Sequence, residues 1–167
     1  MAEKSLKVIV KTFQKTRFLA PITQMCFFNE IRNLILLRDV EGILRIRSVY
    51  ENDGATHLVT QYEGKENLQT YISKMKDQKV SNVPLMAEPQ IKQIMKYIIQ
   101  AVSTMHKRQV LHRDIKPASI VFHKKSLRVC LVDFGQSLNI SDQNKNLLDI
   151  LLGTTGFIDP LLIQYHQ

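Results

Sequence analysis

The first part of the chain contains short apolar runs bounded by polar turns, a pattern typical of β-structure. Residues Lys7–Phe13 alternate and are rich in valine and isoleucine, which predicts a strand. The runs Gly42–Tyr50 and Thr56–Tyr62 flank the turn-like Glu51–Gly54, whose Asp-Gly pair predicts a β-hairpin. A polar connector then separates these predicted strands from a helical second part. It comprises Glu63–Asn67.

Three segments have apolar residues at helical spacing. Pro21–Arg38 predicts an amphipathic helix, and Leu68–Met75 predicts a short one. The apolar face of the first contains Phe27, Ile31, Leu34 and Ile35. Glu88 and Pro89 open the clearest helix, which we expect to be a core helix that supports the loop at His112. Its apolar positions are Ile91, Ile94, Met95, Ile98, Ile99, Val102 and Met105.

A second hairpin is predicted between two acidic residues. The apolar stretches Ser119–Phe122 and Leu127–Val132 lie on either side of the polar His123–Ser126. Asp114 precedes this hairpin and Asp133 follows it. Because a hairpin brings its ends together, two carboxylates far apart in sequence can face one site. Phosphoryl transfer needs one acid near the attacking hydroxyl and one that holds Mg²⁺ on the phosphates.

The composition is ordinary for a globular protein. The chain has 167 residues, 44% hydrophobic and 23% charged, enough for one core of moderate size or two small lobes. Cys26 and Cys130 lie in apolar contexts and cannot form a disulfide framework, which favours a reducing compartment. We expect no signal peptide in Met1–Gln14 and no membrane-spanning segment. A cytoplasmic location is therefore expected, with the nucleus as the alternative.

The formal net charge of the chain is +8. A charge of this sign is compatible with binding to nucleic acid or to an acidic partner. The lysines and arginines are scattered, however, and form no patch interleaved with aromatic residues. We therefore expect neither nucleic acid nor a membrane among the partners.

The chain resembles the catalytic core of a eukaryotic protein kinase in the run Leu111-His112-Arg113-Asp114-Ile115-Lys116-Pro117 and in the later Val132-Asp133-Phe134-Gly135. Lysine and proline after Asp114 resemble the Ser/Thr class. The resemblance implies an α+β, two-lobed protein kinase-like fold. A partial N-lobe, an antiparallel sheet plus one helix, would occupy residues 1–63, and a partial helical C-lobe residues 64–167. It also implies ATP and Mg²⁺ as cofactors and a protein Ser/Thr hydroxyl as the phosphoryl acceptor.

The resemblance implies a role for each matching residue of the catalytic loop. Asp114 would orient the substrate hydroxyl and accept its proton, and Lys116 would stabilise the transferring phosphoryl group. Asp133 would coordinate Mg²⁺, and Ser119 stands where the family has a second, asparagine metal ligand. The implied activation-segment residues are Phe134, Gly135 and Thr154. An apolar stack joining the lobes would contain Leu34, Ile46, His112 and Phe134.

The resemblance also implies an ATP site in the first part of the chain. Lys11 would contact the α- and β-phosphates, held there by the carboxylate of Glu30. Glu30 shares a helix face with Phe27 and Leu34, where an unpaired charge is unfavourable, so a partner is expected. The implied adenine-site residues are Gln61, Tyr62 and Glu63, through their backbone groups, and Val121.

The chain departs from the family pattern at several positions. No Gly-rich loop precedes Lys11 and the chain ends at Gln167, so we expect a kinase domain truncated at both ends. Ile9 replaces a small alanine over adenine, and Asp159-Pro160-Leu161 replaces Ala-Pro-Glu. Asp149 is a candidate substitute for an activating phosphate. The alternative function is therefore that of a catalytically impaired pseudokinase or kinase fragment that acts as a protein-binding module. Truncation predicts marginal solubility, or a partner that covers Leu151, Leu152, Phe157 and Leu161.

Overall fold

The computed structural model describes residues 6–17, 21–77, 86–123, 126–141 and 152–165. Several predicted features lie outside these ranges, namely the middle of the second hairpin turn (Lys124 and Lys125), Asp149 and Leu151. Within the described ranges, no helix combines the length and the apolar character needed to cross a membrane.

The first three strands form one antiparallel sheet in the order β1-β3-β2. They are β1 (Val8–Gln14), β2 (Ile46–Glu51) and β3 (Ala55–Gln61). Because side chains alternate along a strand, Lys11 and Phe13 lie on the same face of β1. β2 begins later than predicted, because Ile43 instead pairs with Leu131 in an isolated parallel bridge.

Helix α1 (Pro21–Leu36) packs against the sheet. The rings of Phe27 and Phe13 lie with their centroids 3.8 Å apart. The buried residues of α1 are Phe27, Glu30, Asn33 and Leu34. Ile35, which the helical spacing places on the apolar face, is 48% exposed, so that prediction is wrong. The buried face is narrower than predicted and includes two polar side chains.

The second part of the chain is mainly helical, with two pairs of short strands. Its helices are α2 (Leu68–Asp77), α3 (Glu88–Lys107) and α4 (Pro160–Tyr165), and its strands are β4 (Val110–Leu111), β5 (Ile120–Phe122), β6 (Val129–Leu131) and β7 (Leu138–Asn139). The β5–β6 hairpin is confirmed, with Ile120 opposite Leu131. Pro89 lies in the first turn of α3, where a missing N–H removes no helical hydrogen bond.

One hydrophobic cluster includes residues from both parts. Met105 of α3 and Leu131 of β6 are fully buried. The prediction that α3 is a core helix holds in part. Of its seven apolar positions, Ile94, Ile98 and Met105 are buried and Val102 is partly buried, whereas Ile91, Met95 and Ile99 are 47%, 47% and 61% exposed. The α+β architecture, with an antiparallel sheet and one helix followed by a helical part, is confirmed. The boundary at residue 63 stays a prediction, as does a partner for the exposed Phe157 and Leu161.

Candidate active site

A cleft of about 280 Å³ lies between the sheet and the β5–β6 hairpin. It is lined by six of the residues that the sequence assigns to nucleotide and metal: Lys11, Glu30, Gln61, Glu63, Val121 and Asp133. Ile9 also lines the cleft, at the position where its bulk is predicted to narrow the adenine pocket. Tyr62 is adjacent in sequence but does not line the cleft, and its role stays a prediction.

An ion pair joins β1 to α1 at the cleft. Lys11 Nζ lies 2.7 Å from Glu30 Oε2, and the side chains are 45% and 4% exposed, respectively. The Glu30 carboxylate is therefore much more strongly desolvated than the Lys11 ammonium. Burial raises the pKa of Glu30, and the charge and hydrogen bond of Lys11 oppose that rise. The structure thus brings together Lys11 and Glu30, the pair that the family resemblance implies, and gives Glu30 the partner that its helix face predicts.

The carboxylate of Asp114 is held by two side chains. Lys116 Nζ donates to Oδ2 at 2.6 Å, and Thr154 Oγ1 donates to Oδ1 at 2.6 Å. Lys116 Nζ also donates to Thr154 Oγ1, so the three side chains close a triangle. Burial raises the pKa of Asp114, but the hydrogen bonds of Lys116 and Thr154 outweigh it, and the net pKa lies below its usual value. The carboxylate is therefore ionised at neutral pH and can accept a hydrogen bond from a hydroxyl.

The backbone at both motifs lies in the left-handed region. Arg113 has a φ of 65° and Asp133 a φ of 64°. Non-glycine residues seldom adopt this conformation, and it is found preferentially at functional sites. Arg113 Nε donates to the carbonyl oxygen of Gln136 at 2.8 Å. This hydrogen bond ties the loop before the β5–β6 hairpin to the loop after it.

The loop after β6 is packed by a buried aromatic contact. The Phe134 side chain is fully buried, and its ring centroid lies 4.7 Å from that of His112 in an edge-on arrangement. His112 Nε2 lies 3.0 Å from the carbonyl oxygen of Val132. Because a carbonyl only accepts, Nε2 carries the proton, while burial lowers the pKa of His112. Leu34 and Ile46 lie in or against the same hydrophobic cluster.

Ser119 is turned towards the backbone of its own loop. Its hydroxyl lies 2.8 Å from the carbonyl oxygen of Asp114 and 2.9 Å from that of Lys116, and it accepts from the Lys116 amide at 3.0 Å. The residue is 1% exposed and does not line the cleft. These contacts shape the loop between Asp114 and the β5–β6 hairpin, and the role of Ser119 as a metal ligand stays a prediction.

Comparison with known proteins decides the family. The protein kinase domain model matches residues 1–167. The chain belongs to the protein kinase family. It is 25% identical over 155 residues to the serine/threonine-protein kinase Genghis Khan of Drosophila melanogaster, a match that covers 93% of this chain and 9% of that protein. It is 24% identical to the human serine/threonine-protein kinases MRCK beta and MRCK alpha, over 93% of this chain and 8% of each relative. This kinase chain thus spans less than a tenth of the length of these relatives.

One carboxylate of the kinase site is suited to Mg²⁺. Asp133 is exposed and lines the cleft, and Mg²⁺ is usually held by one or two carboxylates together with substrate phosphates. The carboxylates of Asp133 and Glu30 both lie beside Gly135, because a Cβ at this glycine would be 3.7 Å from Asp133 Oδ1 and 4.0 Å from Glu30 Oε2. The loop after β6 therefore brings Asp133 towards the Lys11–Glu30 pair. No cluster of three His, Cys, Asp or Glu side chains able to hold a metal is found in the described part of the chain. The donor set fits one Mg²⁺ shared with a nucleotide.

Two buried polar residues close in sequence to Glu30 and Asp133 belong to none of the motifs and do not line the cleft. Asn33 of α1 and Ser137, just after the 3₁₀ turn Phe134–Gln136, are 1% and 0% exposed. Asn33 Nδ2 donates to Ser137 Oγ at 2.8 Å. Helical spacing places Asn33 on the face of Glu30, which is a sign of burial in the sequence. The sequence does not indicate that Ser137 is its partner.

Proposed function

We propose that the chain is a protein serine/threonine kinase that transfers the γ-phosphoryl group of ATP to a protein hydroxyl. The triangle of Asp114, Lys116 and Thr154 carries the proposal, because an ionised carboxylate lies 2.6 Å from both an ammonium and a hydroxyl. Such a carboxylate can orient and deprotonate an attacking hydroxyl. The printed names of the relatives, serine/threonine-protein kinases, support the same class of acceptor.

The cleft would bind adenine at the end of β3. Two of the three backbone amides implied in adenine binding are used within the protein, since Gln61 N donates to Arg45 O at 2.8 Å and Tyr62 N to Lys7 O at 3.2 Å. The Glu63 amide has no backbone acceptor within the described ranges, and Glu63 lines the cleft. The Glu63 amide is therefore our candidate donor to adenine.

The phosphates would lie between β1 and the loop after β6. Lys11, held by Glu30, supplies positive charge to the α- and β-phosphates, and Asp133 supplies a carboxylate for the metal. Mg²⁺, when bound, would offset the charge of the phosphates. Asp114 accepts the proton of the substrate hydroxyl, and Lys116 then lies beside the transferring group.

Titration calorimetry with ATP, with and without Mg²⁺, tests the nucleotide site. We expect binding that requires Mg²⁺ and that Asp133→Asn weakens about tenfold, the loss of one charge-assisted contact. Asp53→Asn is the matched control, because Asp53 lies in the exposed β2–β3 turn. A folded chain that binds no Mg·ATP would contradict the proposal and leave the protein-binding alternative.

A transfer assay tests the catalytic loop separately. Asp114→Asn should retain Mg·ATP binding and lose phosphoryl transfer to a generic acceptor such as dephosphorylated casein, because the amide cannot take the hydroxyl proton. Equal turnover in this variant would remove Asp114 from the proposed mechanism.

A further inference from the structure

A buried hydrogen bond joins helix α1 to the loop that follows Asp133. Asn33 Nδ2 donates to Ser137 Oγ at 2.8 Å, and Ser137 Oγ donates to the carbonyl oxygen of Phe134 at 2.5 Å. Because the single hydroxyl proton of Ser137 points to Phe134, Ser137 accepts from Asn33, and this fixes the orientation of the Asn33 amide. We call this contact the Asn33–Ser137 link.

The Asn33–Ser137 link is less favourable for stability than an apolar pair. Both side chains are buried, and Asn33 Oδ1 has no hydrogen-bond partner within the described part of the chain. A buried acceptor without a partner destabilises a fold, whereas an apolar group of the same shape does not. Leucine has nearly the branched shape of asparagine. The amide at this position therefore points to a role in placing α1 rather than in stabilising it.

Glu30 and Asn33 are neighbours on one face of α1, three residues apart. Glu30 holds Lys11 of β1 at 2.7 Å, and Asn33 holds Ser137, which lies four residues after Asp133. One face of α1 is thus attached both to the strand that carries Lys11 and to the loop that follows Asp133. We propose that Asn33 and Ser137 are positioning residues that set the place of the Lys11–Glu30 pair relative to Asp133. The nucleotide part of this inference rests on the proposed kinase function.

Two variants separate positioning from stability. Ser137→Ala leaves the Asn33 amide buried and unpaired, so it should lower the Tm. Ser137→Ala combined with Asn33→Leu removes both polar groups, so the Tm should return at least to that of the unchanged chain. Thr104→Ala is the control, because the Thr104 hydroxyl donates only to Gln100 O on the exposed surface of α3.

Acylation of Lys11 reports the position of Glu30 without any nucleotide. Glu30 covers one side of the Lys11 ammonium. Lys15 is an internal control, because it pairs with Glu51 at the same 2.7 Å and its side chain is 38% exposed, against 45% for Lys11. If the link positions Glu30, the double variant should acylate Lys11 about fivefold faster relative to Lys15, the change expected for one lost hydrogen bond. Peptide mass spectrometry measures both rates. The proposal would be overturned if a stable double variant and the unchanged chain had the same ratio of Lys11 to Lys15 acylation rates.

The same double variant is then titrated with Mg·ATP and with adenosine. We expect about fivefold weaker binding of Mg·ATP and unchanged binding of adenosine, because the link acts on the phosphate site. If the unchanged chain binds no Mg·ATP, the proposed kinase function fails, and the Lys11 acylation ratio still decides on the link. If the double variant does not fold, the nearly isosteric Ser137→Cys takes its place, since a thiol is a weak hydrogen-bonding group. An unchanged Lys11 ratio in that variant would also overturn the proposal.

Discussion

Replacing Glu30 by glutamine should stabilise the fold while weakening the proposed phosphate site. The Glu30 side chain is 4% exposed, and burial raises its pKa despite the opposing effect of Lys11. A carboxyl group whose pKa is higher in the folded than in the unfolded state binds a proton more readily when folded. At neutral pH its charge therefore opposes folding, and the neutral amide of Glu30→Gln removes that opposition.

The size of the effect follows from the unequal exposure of the pair. Lys11 is 45% exposed, so water can solvate its ammonium when the carboxylate is removed. The loss expected when one partner of a fully buried pair is removed therefore does not apply, and Glu30→Gln should raise the free energy of unfolding by about 1 kcal/mol, the lower end of the gain on replacing a buried ion pair. For a chain of 167 residues, this corresponds to a rise in Tm of about 3 °C. Under the proposed kinase function, Mg·ATP binding should weaken about tenfold, because Lys11 loses the anionic group that would hold it on the phosphates.

Urea unfolding at neutral and mildly acidic pH tests the gain in stability and its dependence on pH. The unchanged chain should gain stability as the pH falls from neutral towards the raised pKa of Glu30, and the variant should lack this gain. Glu41→Gln is the control, because Glu41 is 74% exposed in its pair with Arg128 and should contribute little. A Glu30→Gln chain that is less stable by more than about 1 kcal/mol, or that keeps the same pH dependence, would refute the reasoning.

Three further predictions concern the catalytic loop, the core and the surface. Ser119→Asn restores a carbonyl ligand and should tighten Mg²⁺-dependent ATP binding severalfold in calorimetry; an unchanged affinity would exclude Ser119 as the weak point of the metal site. Leu131→Ala empties a fully buried position and should lower the free energy of unfolding in urea by about 3 kcal/mol, so a loss below about 1 kcal/mol would contradict the described core. The hydrogen bond from Arg108 lowers the pKa of Asp39 to about 2. The ionised Asp39 therefore stabilises the fold at pH values above the pKa of an aspartate in the unfolded chain, and this stabilisation is lost as the pH falls from about 4 to 2. Asp39→Asn should lack that acid-dependent loss of stability in unfolding measurements. Identical pH profiles for the variant and the unchanged chain would argue against a stabilising Asp39–Arg108 pair.

Local sequence patterns predict the strands and the main contacts of the site. Turn residues between apolar runs define both hairpins, and the second places Asp114 and Asp133 at its ends. The two motifs meet in the structure, because His112 Nε2 reaches the carbonyl oxygen of Val132 at 3.0 Å. The helix face of Glu30 predicts that its carboxylate has a partner, and the family resemblance names Lys11 as that partner.

Contacts between residues distant in sequence account for what was not predicted. Helical spacing cannot tell which apolar positions find a neighbour, so Ile35 and Ile99 were expected to be buried and are exposed. The hydroxyl of Ser119 meets backbone groups whose positions depend on the folded loop. The partner of Asn33 lies in a different loop, and no spacing rule connects it to Ser137.

The bridge between Ile43 and Leu131 fastens the chain just after α1 to the β5–β6 hairpin. Leu131 N donates to Gly42 O at 2.8 Å, and Leu44 N donates to Leu131 O at 3.0 Å, so the segment is hydrogen-bonded to this hairpin on both sides of Ile43. Glu30 lies about 9 Å along the helix from Leu36, whereas Pro21 lies about 22 Å away. Any rotation of α1 about its carboxyl-terminal end would therefore carry Glu30 through less than half the arc of the amino-terminal end. The carboxylate that holds Lys11 thus lies closer to the fastened end of the helix than to its amino terminus.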